Sequence, residues 1–262
     1  MFTINPFSEL SGLISPIVMQ VYIVAMVLLV IGGTVLDMIH NKSAQYFFKN
    51  AERAKAEATK SLSGGDKASI AFKTVAEDVL TSAEFCNQRR RVAHLLTMYG
   101  FILFAATTAI MIFGYSSSTA PAILPLLWHA GALMLCVGGY WFWFFIRVDV
   151  AAEGNPWYRV VRADLFVLSL LATATFALIW SALQAADVAM WSTLFFALFI
   201  FASTVLFGGV LWSKFAHMFF KPAAAFQKRV AKADGSRDRL PEPADKPEQF
   251  GPGIKRLLPK NY

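Results

Sequence analysis

The chain has 262 residues, of which 56% are hydrophobic, 15% aromatic and 16% charged, and its formal net charge is +7. A soluble domain has roughly 25% charged and roughly 45–50% apolar residues, so this composition excludes an ordinary soluble globular protein. The two cysteines, Cys86 and Cys136, form no closely spaced pair. This excludes a disulfide framework and a zinc or iron–sulfur site built from this chain alone.

Five continuous apolar runs predict five transmembrane helices, TM1 to TM5. They cover residues 13–36, 92–115, 122–146, 165–183 and 188–212. Each run has about the ~20 residues that a helix needs to cross the bilayer, and continuous rather than alternating apolarity favours helices over a β-barrel. The preceding residues 1–12 lack the basic segment of a cleavable signal peptide, so TM1 is expected to stay in the membrane. The predicted fold class is an all-α integral membrane protein, a bundle of five transmembrane helices.

The positions of the basic residues predict the orientation of this bundle. All 24 Lys and Arg residues fall in segments 41–91, 147–162 and 214–262, which five crossings place on one side of the membrane. The positive-inside rule makes that side cytoplasmic. The N-terminus is therefore expected outside and the C-terminus in the cytoplasm.

The polar segments complete the predicted organisation. Residues 41–91 combine charge pairs at i, i+4 spacing with a break at SLSGGD, which predicts a cytoplasmic helical hairpin between TM1 and TM2. The tail is rich in Pro, Gly and charge and is expected to be extended. The resulting division is an N-terminal helix (1–40), a cytoplasmic helical segment (41–91), a four-helix membrane bundle (92–222) and a cytoplasmic tail (223–262).

The four histidines all lie in or at the end of an apolar run, where ionisable groups often mark ion pathways or cofactors. His94 opens TM2 and His217 follows TM5, at nearly equal predicted depth near the cytoplasmic face. Two imidazoles at one depth on facing helices are what a six-coordinate haem b needs. We therefore predict His94 and His217 as axial ligands, against the alternative that each only caps or snorkels at the interface.

The surroundings of this pair suggest how a haem would be held. Arg90, Arg91 and Lys214 are candidates to contact the haem propionates or the polar groups of a quinone. Small residues, Gly100 on TM2 and Gly208–Gly209 on TM5, are expected to leave room for a flat ring.

The other two histidines leave alternatives open. His129 lies near the outer end of TM3, where it is a candidate for a second haem, for a quinone head group or for simple packing. His40 follows Asp37 by three residues and so shares its helical face. This pair is a candidate for proton delivery to a quinone or for a structural cap. Arg162 and Asp164, before TM4, are expected to form an interfacial ion pair.

Several local strings resemble a known group of membrane proteins. RRRVAHLLTMYGF, LWHAGALML, RADLFVLSLL and WSKFAHMFFKP are similar to the haem-b membrane domain of nitrate reductase gamma-type subunits and of the membrane subunits of quinone-interacting oxidoreductase complexes. This likeness covers roughly residues 89–222. The N-terminal stretch from NPFSELSG to NKSAQYFF resembles more specifically the membrane anchor associated with dissimilatory adenylylsulfate reductase in sulfur-oxidising bacteria.

The resemblance implies a redox subunit in the bacterial inner membrane that has no catalytic residues beyond a candidate quinone-reducing site. A cytoplasmic flavoprotein and iron–sulfur reductase would oxidise sulfite to adenylylsulfate, and this subunit would pass the electrons to quinone. The implied partners are that reductase, quinone and membrane lipid, with no nucleic acid. Gamma-type subunits carry two histidines on each of two helices, whereas TM2 and TM5 here provide one each, so one haem b is expected and a second stays open.

Two other classes of function remain as alternatives. The first is a cofactor-free membrane anchor that tethers the reductase and binds quinone directly. The second is a small transporter, which the lack of internal repeats and of broken helices disfavours.

Overall fold

The computed structural model describes residues 2–40, 43–83, 85, 87–116, 118–210, 212, 217–236, 249–250 and 254–255. Its helices are α1 (Pro6–Glu9), α2 (Pro16–His40), α3 (Ser43–Ala56), α4 (Gly64–Lys73), α5 (Gln88–Gly114), α6 (Ile123–Trp141), α7 (Val148–Ala151), α8 (Leu165–Ala185), α9 (Ala189–Gly208) and α10 (His217–Asp234). π-helical turns extend α4 over Thr74–Leu80 and α6 over Phe142–Ile146. A two-residue antiparallel ladder joins β1 (Gln249–Phe250) to β2 (Ile254–Lys255).

The prediction of five membrane-spanning helices is confirmed at the level of length and composition. Within the described part of the chain, five helices are long and apolar enough to cross a bilayer: α2, α5, α6 with its π turn, α8 with the turn before it, and α9. Their bounds differ from the apolar runs by a few residues. The largest differences are four residues: α2 ends at His40 and not at Leu36, α5 begins at Gln88 and not at Val92, and α9 ends at Gly208 and not at Trp212.

The chain divides into two compact units. The membrane unit comprises Met1–Asp37 and Arg89–Ala216, and the polar unit comprises Met38–Gln88 and His217–Tyr262. The first spanning helix therefore groups with the other four. The polar unit is assembled from two stretches of sequence that lie far apart along the chain.

Close helix packing holds the membrane unit together. A Cβ atom at Gly131 of α6 would lie 2.7 Å from the backbone nitrogen of Phe104 on α5, and one at Gly138 would lie 2.8 Å from the carbonyl oxygen of Ala93. Glycine is required at these positions because the two backbones touch, as small residues allow in membrane bundles. In the same unit, α8 packs against both α6 and α9.

Hydrogen bonds from polar side chains connect α2 to α9 and to α5. The Tyr22 hydroxyl of α2 lies 2.8 Å from Ser203 Oγ and 3.0 Å from Thr204 Oγ1 on α9. The side chain of Gln20 donates to the carbonyl oxygen of Ile112 on α5 at 3.3 Å. Such bonds stabilise helix pairs in the bilayer, where no water competes for the polar groups.

In the polar unit, α10 packs against α3, against α4 and against the π turn that follows α4. A capping box of Ser63 and Asp66 starts α4 within the predicted break SLSGGD. Arg229 of α10 binds Asp78 at 2.6 Å and Glu77 at 2.8 Å. The helices expected in segment 41–91 are thus present, and α10 is a common packing partner for them.

The end of α10 closes against the loop after α3. The backbone nitrogens of Thr59 and Lys60 donate to the Asp234 carbonyl oxygen at 2.9 and 3.0 Å. Gly235 follows with φ of +79°, the left-handed conformation that commonly ends a helix and that glycine adopts without strain. These bonds satisfy a carbonyl that the helix itself leaves unpaired.

Candidate functional site

The structure places the two predicted haem ligands in different units. His94 is half-buried on α5 in the membrane unit, one turn after the half-buried Arg90 and Arg91. His217 begins α10 in the polar unit, and its side chain lies outside the described part of the structure, as does Lys214. His217 therefore does not extend a spanning helix. Its pairing with His94 stays a prediction.

The room expected for a flat ring beside Gly100 is filled by protein, so this expectation is wrong. A Cβ atom at Gly100 would lie 2.8 Å from the Gly131 carbonyl oxygen and 2.9 Å from the Leu135 nitrogen, because α6 packs directly on α5 there. A Cβ atom at Gly209 would lie 2.6 Å from the Val205 carbonyl oxygen, whereas one at Gly208 would meet only Leu29 Cδ1, at 3.9 Å. Gly100 therefore permits contact between α5 and α6.

His129 is the most buried histidine among those whose side chains are described, with 1% of its surface exposed. Its Nδ1 lies 2.7 Å from the carbonyl oxygen of Pro125, which can only accept, so this nitrogen carries the proton. In the neutral ring Nε2 is then an acceptor for the Ser181 hydroxyl at 2.8 Å. Both ring nitrogens are occupied by protein groups. This arrangement favours the packing alternative over ligation of a second haem.

Asp37 and His40 occupy the last turn of α2. Asp37 is half-buried and His40 is exposed. The structure keeps both residues on one helix, as predicted.

An aromatic cluster missed by the sequence analysis surrounds His129 at one end of the membrane unit. Trp128 and Trp180 are fully buried, with ring centroids 6.2 Å apart. Phe7 of α1 packs edge-on against both, at 5.8 and 5.3 Å. Phe2 contacts the His129 ring edge-on at 5.0 Å. The N-terminal segment therefore covers this end of the bundle, although its sequence shows only a short polar stretch with two phenylalanines.

Hydrogen bonds fix this N-terminal cover to the ends of the spanning helices. The side chain of Asn5 donates to the Tyr115 carbonyl oxygen just after α5, at 3.0 Å. The side chain of Gln184 near the end of α8 donates to the Pro6 carbonyl oxygen at 3.1 Å. The ends of α5 and α8 thus lie at the same end of the membrane unit as α1.

Beside this cover lies a cavity of about 350 Å³. Its wall includes Glu9 and Leu10 from the N-terminal segment, Trp180 and Gln184 from α8, and Phe196 from α9. Two residues of this wall each carry a polar atom that is buried away from solvent and lacks a hydrogen-bond partner among the described residues: the donor Trp180 Nε1 and the acceptor Gln184 Oε1. Trp128 differs, because its indole nitrogen donates to Thr108 Oγ1 at 2.9 Å. Buried orphan atoms are rare enough to mark sites that take water or a ligand.

A second missed group is Arg147, which is 5% exposed after α6. Its guanidinium binds Asp164 at 2.7 Å and the Arg159 carbonyl oxygen at 2.6 Å, and it lies 4.0 Å from the centre of the Trp143 ring. The predicted ion pair of Arg162 with Asp164 is therefore wrong: Arg162 is exposed and Arg147 is the partner. These contacts close the loop between α6 and α8.

The chain was compared with protein-family models, with curated proteins and with solved structures, and none of them matches it.

Proposed function

We propose that this chain is the membrane subunit of an oxidoreductase complex in the bacterial inner membrane. It anchors a cytoplasmic flavin and iron–sulfur reductase and passes electrons between that reductase and quinone. The resemblance of the N-terminal stretch favours adenylylsulfate reductase, acting in sulfite oxidation, as that partner. The N-terminus lies outside and the polar unit lies in the cytoplasm, as the positive-inside rule requires.

The observation that carries this proposal is the division of the chain into an apolar unit and a basic unit. The polar unit contains 17 of the 24 Lys and Arg residues and 11 of the 17 Asp and Glu residues, so it holds most of the net positive charge. The membrane unit provides the five apolar helices. A spanning bundle joined to a folded, basic unit suits a protein that holds an acidic soluble partner at the membrane surface.

Haem b is the carrier that we propose, with His94 and His217 as its axial ligands. It would supply one-electron transfer between the reductase and quinone. His94 is half-buried, one turn after Arg90 and Arg91, which fits a ligand near the membrane surface with basic side chains of the kind that bind propionates. Both ring nitrogens of His129 are hydrogen-bonded to protein groups, which favours one haem over two.

A cofactor-free anchor that binds quinone directly is the second candidate. It is favoured by the helix contact at Gly100, which removes one of the spaces expected for a porphyrin. It is also favoured by the cavity beside Trp180 and Gln184, which provides a protein-lined space of about 350 Å³.

The visible spectrum of the purified, full-length protein separates these candidates. A reduced α-band of b-type haem, lost in His94→Ala and in His217→Ala but kept in the matched control His40→Ala, supports the haem. A colourless protein that still recruits the reductase to membranes supports the cofactor-free anchor. Failure of the membranes to bind any flavin and iron–sulfur reductase would refute both.

A further inference from the structure

Helix α4 and the π turn after it carry a row of exposed apolar side chains in the polar unit. Ala68, Phe72 and Val75 have the i, i+4, i+7 spacing that places side chains on one side of an α-helix. Leu80 follows Val75 by five residues, a spacing that the i→i+5 hydrogen bonds of a π turn keep near one side. Phe72 is 78% exposed, Val75 50% and Leu80 48%. We call these four residues the α4 apolar face.

The opposite side of the same helix is covered by protein. Thr74 is buried, and Asp78, one turn later, binds Arg229 of α10 at 2.6 Å. Helix α10 packs against both α4 and the π turn. Ionic contacts therefore hold this helix on α10, while the α4 apolar face is directed away from α10. Single exposed apolar residues are common on proteins, but an aligned row on one helix is typical of a surface that binds lipid or protein.

Two exposed lysines border the α4 apolar face. Lys67 precedes Ala68 and Lys73 follows Phe72, so at 3.6 residues per turn they lie on its opposite flanks. Lys73 is 3.8 Å from Glu77, an ion pair between largely exposed side chains that leaves the lysine accessible. Lysines beside an apolar helix face lay their carbon chains on apolar surface and extend the ammonium group to phosphates, as in helices that lie on membranes.

The charge of the whole polar unit has the same sign as these lysines. The unit contains 17 Lys and Arg residues against 11 Asp and Glu residues, an excess of six positive charges. Basic segments next to a spanning helix are attracted to anionic lipids within about 10 Å of the surface. The polar unit is therefore complementary in charge to an anionic bilayer.

The length of the chain keeps the α4 apolar face near the bilayer. Gln88 begins α5, one of the five helices that are long and apolar enough to span a membrane, and it lies eight residues after Leu80. Eight fully extended residues reach about 30 Å at most. A surface tethered this closely meets the bilayer at a high effective concentration, whereas a soluble protein must first be recruited.

We propose that the α4 apolar face binds the surface of the bilayer that the five helices span, with a preference for anionic phospholipid. Phe72 and Val75 enter the boundary between head groups and acyl chains, and Lys67 and Lys73 contact lipid phosphates. The bilayer is the favoured occupant because the row is apolar, is bordered by lysines and is tethered close to the membrane. This inference does not depend on the proposed redox function.

The test uses the full-length protein in lipid nanodiscs, with Cys86 and Cys136 replaced by serine and one spin label attached. The label is placed at Phe72→Cys or, as the control, at Lys232→Cys, an exposed position on α10. Its collisions with oxygen, which concentrates in lipid, are compared with its collisions with a water-soluble nickel complex. At Phe72→Cys we expect the ratio of oxygen to nickel collisions to rise when phosphatidylglycerol is added to phosphatidylcholine discs. At Lys232→Cys the ratio should stay that of a label in water.

A matched pair of charge variants tests the lysines that border the face. Lys67→Gln combined with Lys73→Gln is expected to reduce the rise that phosphatidylglycerol causes at Phe72→Cys. Lys228→Gln combined with Lys232→Gln removes the same net charge from exposed positions of α10 and should leave most of the rise. Equal losses in the two double variants would overturn the assigned role of Lys67 and Lys73.

The remaining outcomes separate the bilayer from other occupants. A label at Phe72→Cys that stays accessible to nickel in both kinds of disc overturns the proposal, and equal ratios in the two lipid compositions overturn the preference for anionic lipid. Protection of Phe72→Cys that requires added adenylylsulfate reductase overturns membrane binding and leaves the proposed function standing. Amide exchange of the unlabelled wild type gives an independent result if a variant fails to fold. The proposal requires slower exchange in α4 with phosphatidylglycerol than without it, and an unchanged rate overturns it.

Discussion

The hydroxyl of Ser181 on α8 lies 2.8 Å from Nε2 of His129 on α6, while Nδ1 of the same ring bonds to the Pro125 carbonyl oxygen at 2.7 Å. One imidazole thus joins two spanning helices. Because the ring is 1% exposed, no water replaces either bond if its partner is removed.

Ser181→Ala is therefore expected to destabilise the protein by about 1–3 kcal/mol, since it leaves Nε2 buried and unpaired. Thermal unfolding in detergent micelles measures this effect. Thr193→Ala is the matched control, because its exposed hydroxyl bonds only to the Ala189 carbonyl oxygen within its own helix. Equal stabilities of the two variants would contradict the assigned role of the His129 bond.

Asp164→Asn and Arg147→Ala each break a shielded ion pair, whose side chains are 15% and 5% exposed. Loss of one partner leaves the other charge without compensation, which costs about 3–5 kcal/mol when the pair is buried. The comparison pair is Arg159 with Glu153, at 3.9 Å and about half exposed. Glu153→Gln should change the free energy of unfolding by no more than about 1 kcal/mol. Similar losses in both pairs would show that burial of Arg147 has no energetic effect.

Gly131→Ala and Gly138→Ala place a methyl group against the backbone of α5, at 2.7 and 2.8 Å from its nearest atoms. Backbone cannot rotate aside as a side chain does, so each change is expected to cost about 1–3 kcal/mol or more. Gly32→Ala on α2 meets nothing within 4 Å and should be neutral or slightly stabilising. Unfolding in detergent ranks the three variants, and a neutral Gly138→Ala would contradict the close contact of α5 with α6.

The hydrogen bond from Arg229 holds the pKa of Asp78 below its usual value. A carboxyl group with a lowered folded-state pKa stabilises the fold above its unfolded pKa of about 3.9, and this contribution is lost as the pH falls through the folded value. The protection factors of the α10 amides, which correct exchange for its intrinsic dependence on pH, are therefore expected to decrease below about pH 4. Arg229→Gln should remove this dependence and accelerate exchange already at neutral pH. A pH profile of α10 that is the same in Arg229→Gln and wild type would contradict the linkage.

The spanning helices were predictable because each is a continuous apolar run long enough to cross the bilayer. Gly100 shows what the amino-acid sequence could not predict, namely which group lies against a small residue. A small residue indicates that something approaches closely, but only the packed helices show that the neighbour is the backbone of Gly131 and not a cofactor.

Contacts between distant segments account for the other differences. Arg147 lies 17 residues before Asp164, and the adjacent Arg162 was a reasonable partner by spacing alone. The four-residue helix α1 is too short to show periodicity, so burial of Phe7 against Trp180 gave no signal in the sequence. The cavity was missed for the same reason, because its wall combines this N-terminal segment with α8 and α9.

The assembly of the polar unit from residues on both sides of four membrane crossings has a consequence for biogenesis. During synthesis, α3 and α4 emerge well before α10, with which both pack. The ribosome completes α10 only after the last spanning helix has been made. A soluble partner that recognises the assembled polar unit would thus be recruited only by chains whose membrane insertion is finished, and stalled or truncated chains would be passed over.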